Sequence, residues 1–310
     1  MKYYTFPDTD LKISQMTLGT WVFGGKFWGG ANERDCEDAV RCALEMGIHC
    51  IDTAPIYGNG VSEKIVGRAL KGIRDRAVIA TKCGLTAGGS GIAHNLKPES
   101  IRREVEDSLR RLQTDVIDLY QCHWPDQNTP IEETMRELYR LKEEGKIRYI
   151  GLSNFGRDLF EQALALGPVI SSQNQYSLVE RDIEKDLLPF LKERRVGLLA
   201  YGPLAGGILT GKYKTRPQFQ GVDARTFFYQ NYEGDAFEAM RQLLARLRRL
   251  ERPLNQLAIN WVRAQGGVAS VLVGCRNPRQ VEDNIAAWQW ELDAEELRTI
   301  EDILGQKTHG

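Results

Sequence analysis

Short apolar runs alternate with longer stretches of helical period from Met16 to the end of the chain. Such runs suit buried strands, and a 3.6-residue apolar period between them suits amphipathic helices. The pattern predicts a first strand over Met16–Thr20 and a helix over Glu33–Met46. A second strand, His49–Asp52, precedes a helix over Ser62–Leu70. A third, Ala77–Thr81, precedes Pro98–Leu112, whose proline sits in the first turn where its missing N–H costs nothing. Val116–Gln121 is the fourth strand, followed by a helix over Ile131–Glu144. Ile147–Leu152, Val169–Ser172, Val196–Ala200 and Val268–Val273 supply the remaining four, with helices near Arg157–Leu166, Ile183–Arg194, Pro253–Ala264 and Pro278–Ala286.

Eight strand-plus-helix units imply parallel strands joined by crossover helices. The strands read as uniformly apolar, as expected when both faces are covered. A doubly wound open sheet would want a glycine-rich GxGxxG turn after its first strand, and Leu18-Gly19-Thr20-Trp21 does not supply one. The expected fold is therefore an α/β, (β/α)₈ TIM barrel spanning residues 1–310 as a single domain. Three pieces are additional. Tyr3–Phe6 and Leu11–Ser14 flank a Pro7-Asp8-Thr9-Asp10 turn and read as a hairpin that plugs the barrel bottom. Asp235–Leu250 is an inserted helix, preceded by a long aromatic-bearing loop from Gly211 to Gly234 that is a candidate lid. Asp293–Leu304 is a terminal helix capped by Asp293, with Glu296 three residues on.

Composition narrows the function. The 310 residues are 42% hydrophobic and 27% charged, and 41 basic against 42 acidic side chains leave a net charge of −1. With a pI near 6.5, there is no basic excess of the kind nucleic-acid partners select. No apolar run approaches the ~20 residues that cross a bilayer. Met1-Lys2-Tyr3-Tyr4 lacks the basic-then-apolar pattern of a secretory signal, so a cytoplasmic chain with reduced cysteines is expected. The cysteines at 36, 42, 50, 83, 122 and 275 form no CxxC pair, and the histidines show no HxxxH or HExxH spacing. No metal is expected.

Barrel active sites lie at the C-terminal ends of the strands. Read in turn, those ends are Thr20-Trp21, Asp52 with Tyr57 just beyond, Lys82, His123, Ser153-Asn154, Gln173-Asn174, Tyr201 and Gly274-Cys275-Arg276-Asn277. Four ionisable residues at the mouths of three consecutive strands converge on one rim. A tyrosine is a sluggish acid at its ordinary pKa near 10. An adjacent ammonium favours phenolate, so Lys82 is expected to lower the Tyr57 pKa, with Asp52 as its counter-ion. His123 is placed to polarise a carbonyl oxygen. The set suits protonation of the oxyanion left by hydride addition to an aldehyde or ketone. Trp21, Phe23 and Trp28 after the first strand, with Trp124 beside His123, are expected to wall a substrate pocket around Tyr57 and His123. Phe27 follows the same strand, and Phe227, Phe228 and Tyr229 occupy the long loop.

Asp52-Thr53-Ala54-Pro55-Ile56-Tyr57-Gly58, then Ser62-Glu63 and Gly67, resembles the signature segment of the aldo-keto reductases. Thr81-Lys82-Cys83-Gly84 is similar to the family's lysine strand, and Tyr120-Gln121-Cys122-His123-Trp124 to its histidine strand. Gly151-Leu152-Ser153-Asn154-Phe155, Gln173-Asn174-Gln175-Tyr176-Ser177 and the run from Ala200 to Gly211 resemble its cofactor-binding segments. The likeness is collinear over nearly the whole chain. Gly202 replaces a common serine, Ile48-His49-Cys50 departs from the usual residues before the aspartate, and Gln280 stands where many members carry a second arginine. These features resemble the branch of bacterial general-stress and inositol-operon reductases and potassium-channel β subunits.

The resemblance implies Tyr57 as general acid/base, tuned by Lys82 and Asp52, with His123 orienting the carbonyl. It implies NADP(H) as cofactor, ahead of NAD(H). Ser153, Asn154 and Gln173 would hold the carboxamide and Tyr201 would stack on the nicotinamide. Thr20, Trp21, Asp52, Gly202, Pro203 and Leu204 would be further contacts. Gly207, Leu209, Gly211 and Lys212 would run under the pyrophosphate. Gly274, Arg276, Gln280 and Asn284 would surround the 2′-phosphate and adenine. The expected partner is a small carbonyl or polyol, and a homo-oligomer is compatible with the family. Carbonyl reduction is the leading expectation. The alternatives are sugar or polyol oxidation, and a slowly turning over NADP(H)-binding regulatory subunit.

Overall fold

The computed structural model describes residues 1–25, 27–88 and 91–305. Eight parallel strands close into a barrel in chain order: Met16–Gly19, Cys50–Asp52, Val78–Cys83, Ile117–Cys122, Ile147–Ser153, Ser171–Gln175, Gly197–Tyr201 and Val268–Gly274. They are called here the first to eighth barrel strands. Helices Glu33–Glu45, Val61–Ala69, Pro98–Leu112, Ile131–Glu143, Arg157–Leu166, Leu187–Glu193, Leu254–Ala264 and Pro278–Ile285 form the outer ring. The (β/α)₈ expectation holds. The helix starts are set locally: Asn32 accepts the Arg34 and Asp35 N–H groups, and Pro98 opens its helix as expected. Asp293 accepts the N–H groups of Glu295 and Glu296, while Glu296 accepts that of Asp293. That reciprocal box starts Ala294–Gly305.

The N-terminal hairpin, Tyr3–Thr5 paired with Lys12–Ser14, does close the barrel bottom. Phe6, Leu11 and Ile13 are buried against the inward residues Cys50, Ala80, Leu119, Leu199 and Ala269. A side chain at Gly197 would sit 2.7 Å from the Phe6 ring, so this close approach requires glycine. The remaining apolar side chains fill the layer between barrel and helices.

Two local expectations are corrected, and one element is new. The sixth strand runs Ser171–Gln175, displaced toward the C-terminus from Val169–Ser172, and it is polar. Its Ser172 hydroxyl donates to Asn174 Oδ1 at 2.7 Å, and on the inward face Gln173 Nε2 donates to Asp52 Oδ2 and Gln121 Oε1, whereas Ser171 Oγ and Gln175 Nε2 are buried without a partner. The helix expected over Ile183–Arg194 is a short 3-10 turn, Asp182–Glu184, followed by Leu187–Glu193. Between the third strand and its helix lies a second hairpin, Leu85–Gly88 with Gly91–His94, that the apolar pattern did not announce. No helix among the described residues is long and apolar enough to cross a membrane.

Candidate active site

The barrel register brings the C-terminal strand ends to one level: Gly19 lies beside Asp52, Cys83 beside Cys122, and Gly274 beside Gly19. Lys82, the residue before Cys83, is fully buried at that rim. Its ammonium donates to Asp52 Oδ1 at 2.5 Å, to the Thr53 carbonyl at 2.9 Å and to the Tyr57 hydroxyl at 3.4 Å. All three N–H groups are thereby used. Asp52 Oδ2 accepts from Gln173 Nε2 at 2.8 Å and from Gln121 Nε2 at 3.2 Å. Tyr57 is aimed by its loop. Gly58 follows at φ 64°, and a Cβ there would lie 2.7 Å from the Gly24 carbonyl oxygen. Glycine is required for this backbone-on-backbone contact.

The rings of Tyr57 and His123 meet edge to face with centroids 5.8 Å apart. Trp21 lies nearly parallel to the Tyr57 ring at 6.0 Å. Burial pushes the Tyr57 phenol well above its ordinary 10.0, and the Asp52 charge adds to the rise. This corrects the expectation that Lys82 would lower it: desolvation wins, and the phenol keeps its proton. Burial pulls the Lys82 ammonium down, against the opposing pull of Asp52. His123 is held well below 6.5 by burial, then by the Lys82 charge and by His94. It is a neutral imidazole.

Asp52, Tyr57 and His123 floor a cavity of about 1010 Å³. Thr20, Trp21, Trp28, Asp52, Tyr57, His123 and Trp124 line it. So do Ser153, Asn154, Gln173, Tyr201, Gly202, Pro203 and Leu204, and at the far end Gly207, Lys212, Gly274, Arg276, Gln280 and Asn284. Four expected residues do not line it: Lys82 lies fully buried behind Asp52 and Tyr57, and three others pack elsewhere. Phe23 is buried in the core, because the 3-10 turn Trp21–Gly24 turns residues two apart in different directions. Leu209 is likewise in the core. Gly211 is a left-handed residue packed on Leu254 and Arg248. Gln121 was not singled out from the sequence, although a glutamine inside an apolar strand was the available signal.

The cavity has two chemical ends. On one side, Asn154 Nδ2 donates to the His123 carbonyl and to Ser153 Oγ, and its Oδ1 accepts from Tyr201. This is an amide-rich floor. Glycines 202, 206 and 207, all at positive φ, leave backbone open along the seventh-strand loop, and Lys212, Arg276 and Arg279 stand at its far end. Such a cradle, with amides at one end and cations at the other, fits a nicotinamide dinucleotide. The long loop contains a short helix, Ala224–Phe228, and is tied to the first-strand loop by the Ala224 N–H on the Phe27 carbonyl at 2.8 Å.

A family model described as the aldo/keto reductase family matches residues 15–304. The chain belongs to that family. It is 40% identical to the aldo-keto reductase YhdN of Bacillus subtilis, over 98% of this chain and 94% of that protein. It is 37% identical to a protein of Escherichia coli named NADH-specific methylglyoxal reductase, covering 98% and 99%. The glycerol dehydrogenase AKR11B4 of Gluconobacter oxydans superposes with a TM-score of 0.89 at 39% identity, covering 97% of this chain and 94% of that one. This reductase is accordingly an NAD(P)H-dependent oxidoreductase.

The buried pair yields a stability prediction. Asp52→Asn leaves Lys82 charged and uncompensated, which costs about 3–5 kcal/mol. Chemical denaturation is expected to show that loss, and adding Lys82→Met is expected to recover much of it. Strictly additive losses would show that the two groups do not stabilise one another.

Proposed function

We propose that this reductase converts aldehydes and ketones to alcohols with NADPH, using Tyr57 as the proton donor. The observation that carries the reading is the Tyr57 hydroxyl at the cavity floor, 3.4 Å from a lysine ion-paired to Asp52 and facing the His123 ring. Ser153, Asn154 and Gln173 are suited to the carboxamide of the cofactor, Tyr201 to its ring, and Gly202 through Lys212 to the pyrophosphate. When bound, the cofactor supplies the hydride to the carbonyl carbon. The remaining work belongs to the protein. His123, neutral, donates a hydrogen bond to the carbonyl oxygen and fixes its orientation. Tyr57 gives its proton to that oxygen as negative charge develops there. The phenolate left behind is stabilised by the Lys82 N–H until a solvent proton restores it. Trp21, Trp28 and Trp124 keep bulk water away from the reacting oxygen.

The raised Tyr57 pKa supports reduction over polyol oxidation near neutrality. Reduction uses the protonated phenol, which predominates until pH exceeds its raised pKa. Oxidation needs the phenolate, the minor species below that point.

Tyr57→Phe is expected to lower kcat for carbonyl reduction by at least ~100-fold while leaving the dissociation constant for NADPH nearly unchanged. In the unmutated protein, kcat for reduction stays level across neutral pH, whereas kcat for alcohol oxidation climbs about tenfold per pH unit. Near-normal turnover in Tyr57→Phe would assign the proton to another group, with His123 next in line.

Arg276 supports the preference for NADPH, because it is the half-buried cation at the far end of the cradle. Its backbone N–H is held by Gln280 Oε1 at 3.0 Å, and its guanidinium reaches the Gly30 carbonyl. If that side chain takes the 2′-phosphate, Arg276→Ala weakens NADPH roughly ten- to a hundredfold and NADH far less. Equal losses, measured by fluorescence titration, would place the phosphate elsewhere.

A further inference from the structure

The described residues expose six large apolar side chains, and three of them, Phe27, Ile92 and Phe227, line the mouth of the same cavity. They are 38%, 59% and 62% exposed, and they come from three separate segments. Phe27 follows the first strand, Ile92 lies on the Gly91–His94 arm of the unannounced hairpin, and Phe227 on the Ala224–Phe228 helix. Phe27 and Phe227 meet edge to face at 6.3 Å. Exposed apolar side chains scattered singly need no explanation, but a ring of them around an opening marks a binding surface.

We infer that Phe27, Ile92 and Phe227 form a collar that grips the alkyl chain of the substrate, making medium-chain aliphatic aldehydes the preferred class. This rests on the reading of Tyr57 and His123 as the carbonyl site. Leu85, Trp124 and Phe228 line the same cavity; Trp124 follows His123 and packs on His94 of the hairpin arm that carries Ile92, and Phe228 packs on Trp21 and Tyr201, so an extended chain leaving the polar floor meets apolar walls. The charged side chain at this end offers nothing to an anionic tail. Arg225 is clamped by Asp223 at 2.5 and 2.7 Å, bonded to the Tyr213 hydroxyl, and laid over the Phe219 ring at 4.1 Å. Short polar carbonyls would fill only the floor and leave the collar wet.

Two series test the collar, one catalytic and one by binding alone. In the first, kcat/KM is measured for straight-chain aldehydes from propanal to octanal. Each added methylene that reaches the collar is expected to raise kcat/KM roughly two- to fourfold, mainly through KM. In the second, 1-alkanols from propanol to octanol are titrated calorimetrically into the protein saturated with NADPH, and their affinities are expected to follow the same slope. Phe227→Ser with Ile92→Ser flattens both slopes, with the loss growing with chain length and least for propanal and propanol. Phe227→Leu with Ile92→Leu, which keeps apolar surface, retains them. Flat series in the unmutated protein, or an equal loss at every length in the serine variant, would overturn the collar. Absent turnover with a steep alkanol slope would leave the collar standing and defeat the carbonyl-reduction reading instead.

Discussion

The site is organised by one ion pair placed where water does not reach. The side chains of Lys82 and Asp52 are 0% and 4% exposed, and a buried charge of either kind is costly unless its partner and every hydrogen bond are supplied. Here they are. The ammonium has three acceptors, and the carboxylate takes Lys82 on one oxygen and two amide groups on the other. The partners come from the ends of the second, third, fourth and sixth strands, so satisfying the pair also draws those ends together across the barrel. Removing either charge would release both the electrostatics of the site and the geometry of its rim.

The acid chemistry depends on the same burial. The network that keeps Lys82 charged leaves Tyr57 in a medium that disfavours a second anion beside Asp52, so the phenol holds its proton. His123, facing the same ammonium, stays neutral. One neutral O–H donor and one neutral imidazole beside a single fixed cation make a floor suited to an oxygen on which negative charge appears and is then quenched. Above that floor the cavity divides by chemistry, with open backbone and cations along the seventh- and eighth-strand loops and aromatic walls on the other side.

Much of this was legible in the chain. The crossover helices carry strong apolar stripes, one of them opened by Pro98, the terminal helix is marked by Asp293, and Asp52, Tyr57, Lys82 and His123 follow recognisable strand ends. What escaped has physical reasons. The sixth strand, Ser-Ser-Gln-Asn-Gln, is buried yet polar, so the apolar pattern places it two residues too early. The hairpin arms Leu85–Gly88 and Gly91–His94 are four residues each, and beyond Leu85 and Thr86 their described side chains are exposed, so they carry no apolar stripe. Gln121 lies level with Lys82, two residues before the strand end at His123, and its partner Asp52 reaches it only once the barrel is closed. The sign of the Tyr57 shift is not legible in the chain, because a sequence shows which charge is near but not how little solvent remains.

The central claim is that burial beside a compensated Lys82–Asp52 pair keeps Tyr57 protonated through the working range. Spectrophotometric titration of tyrosinate absorbance, taken as the difference between the unmutated protein and Tyr57→Phe, reads that state directly. The account predicts no ionisation attributable to Tyr57 up to the ordinary tyrosine pKa of about 10. A difference signal titrating well below that value would contradict it, and would show that the lysine charge outweighs desolvation at the floor of the site.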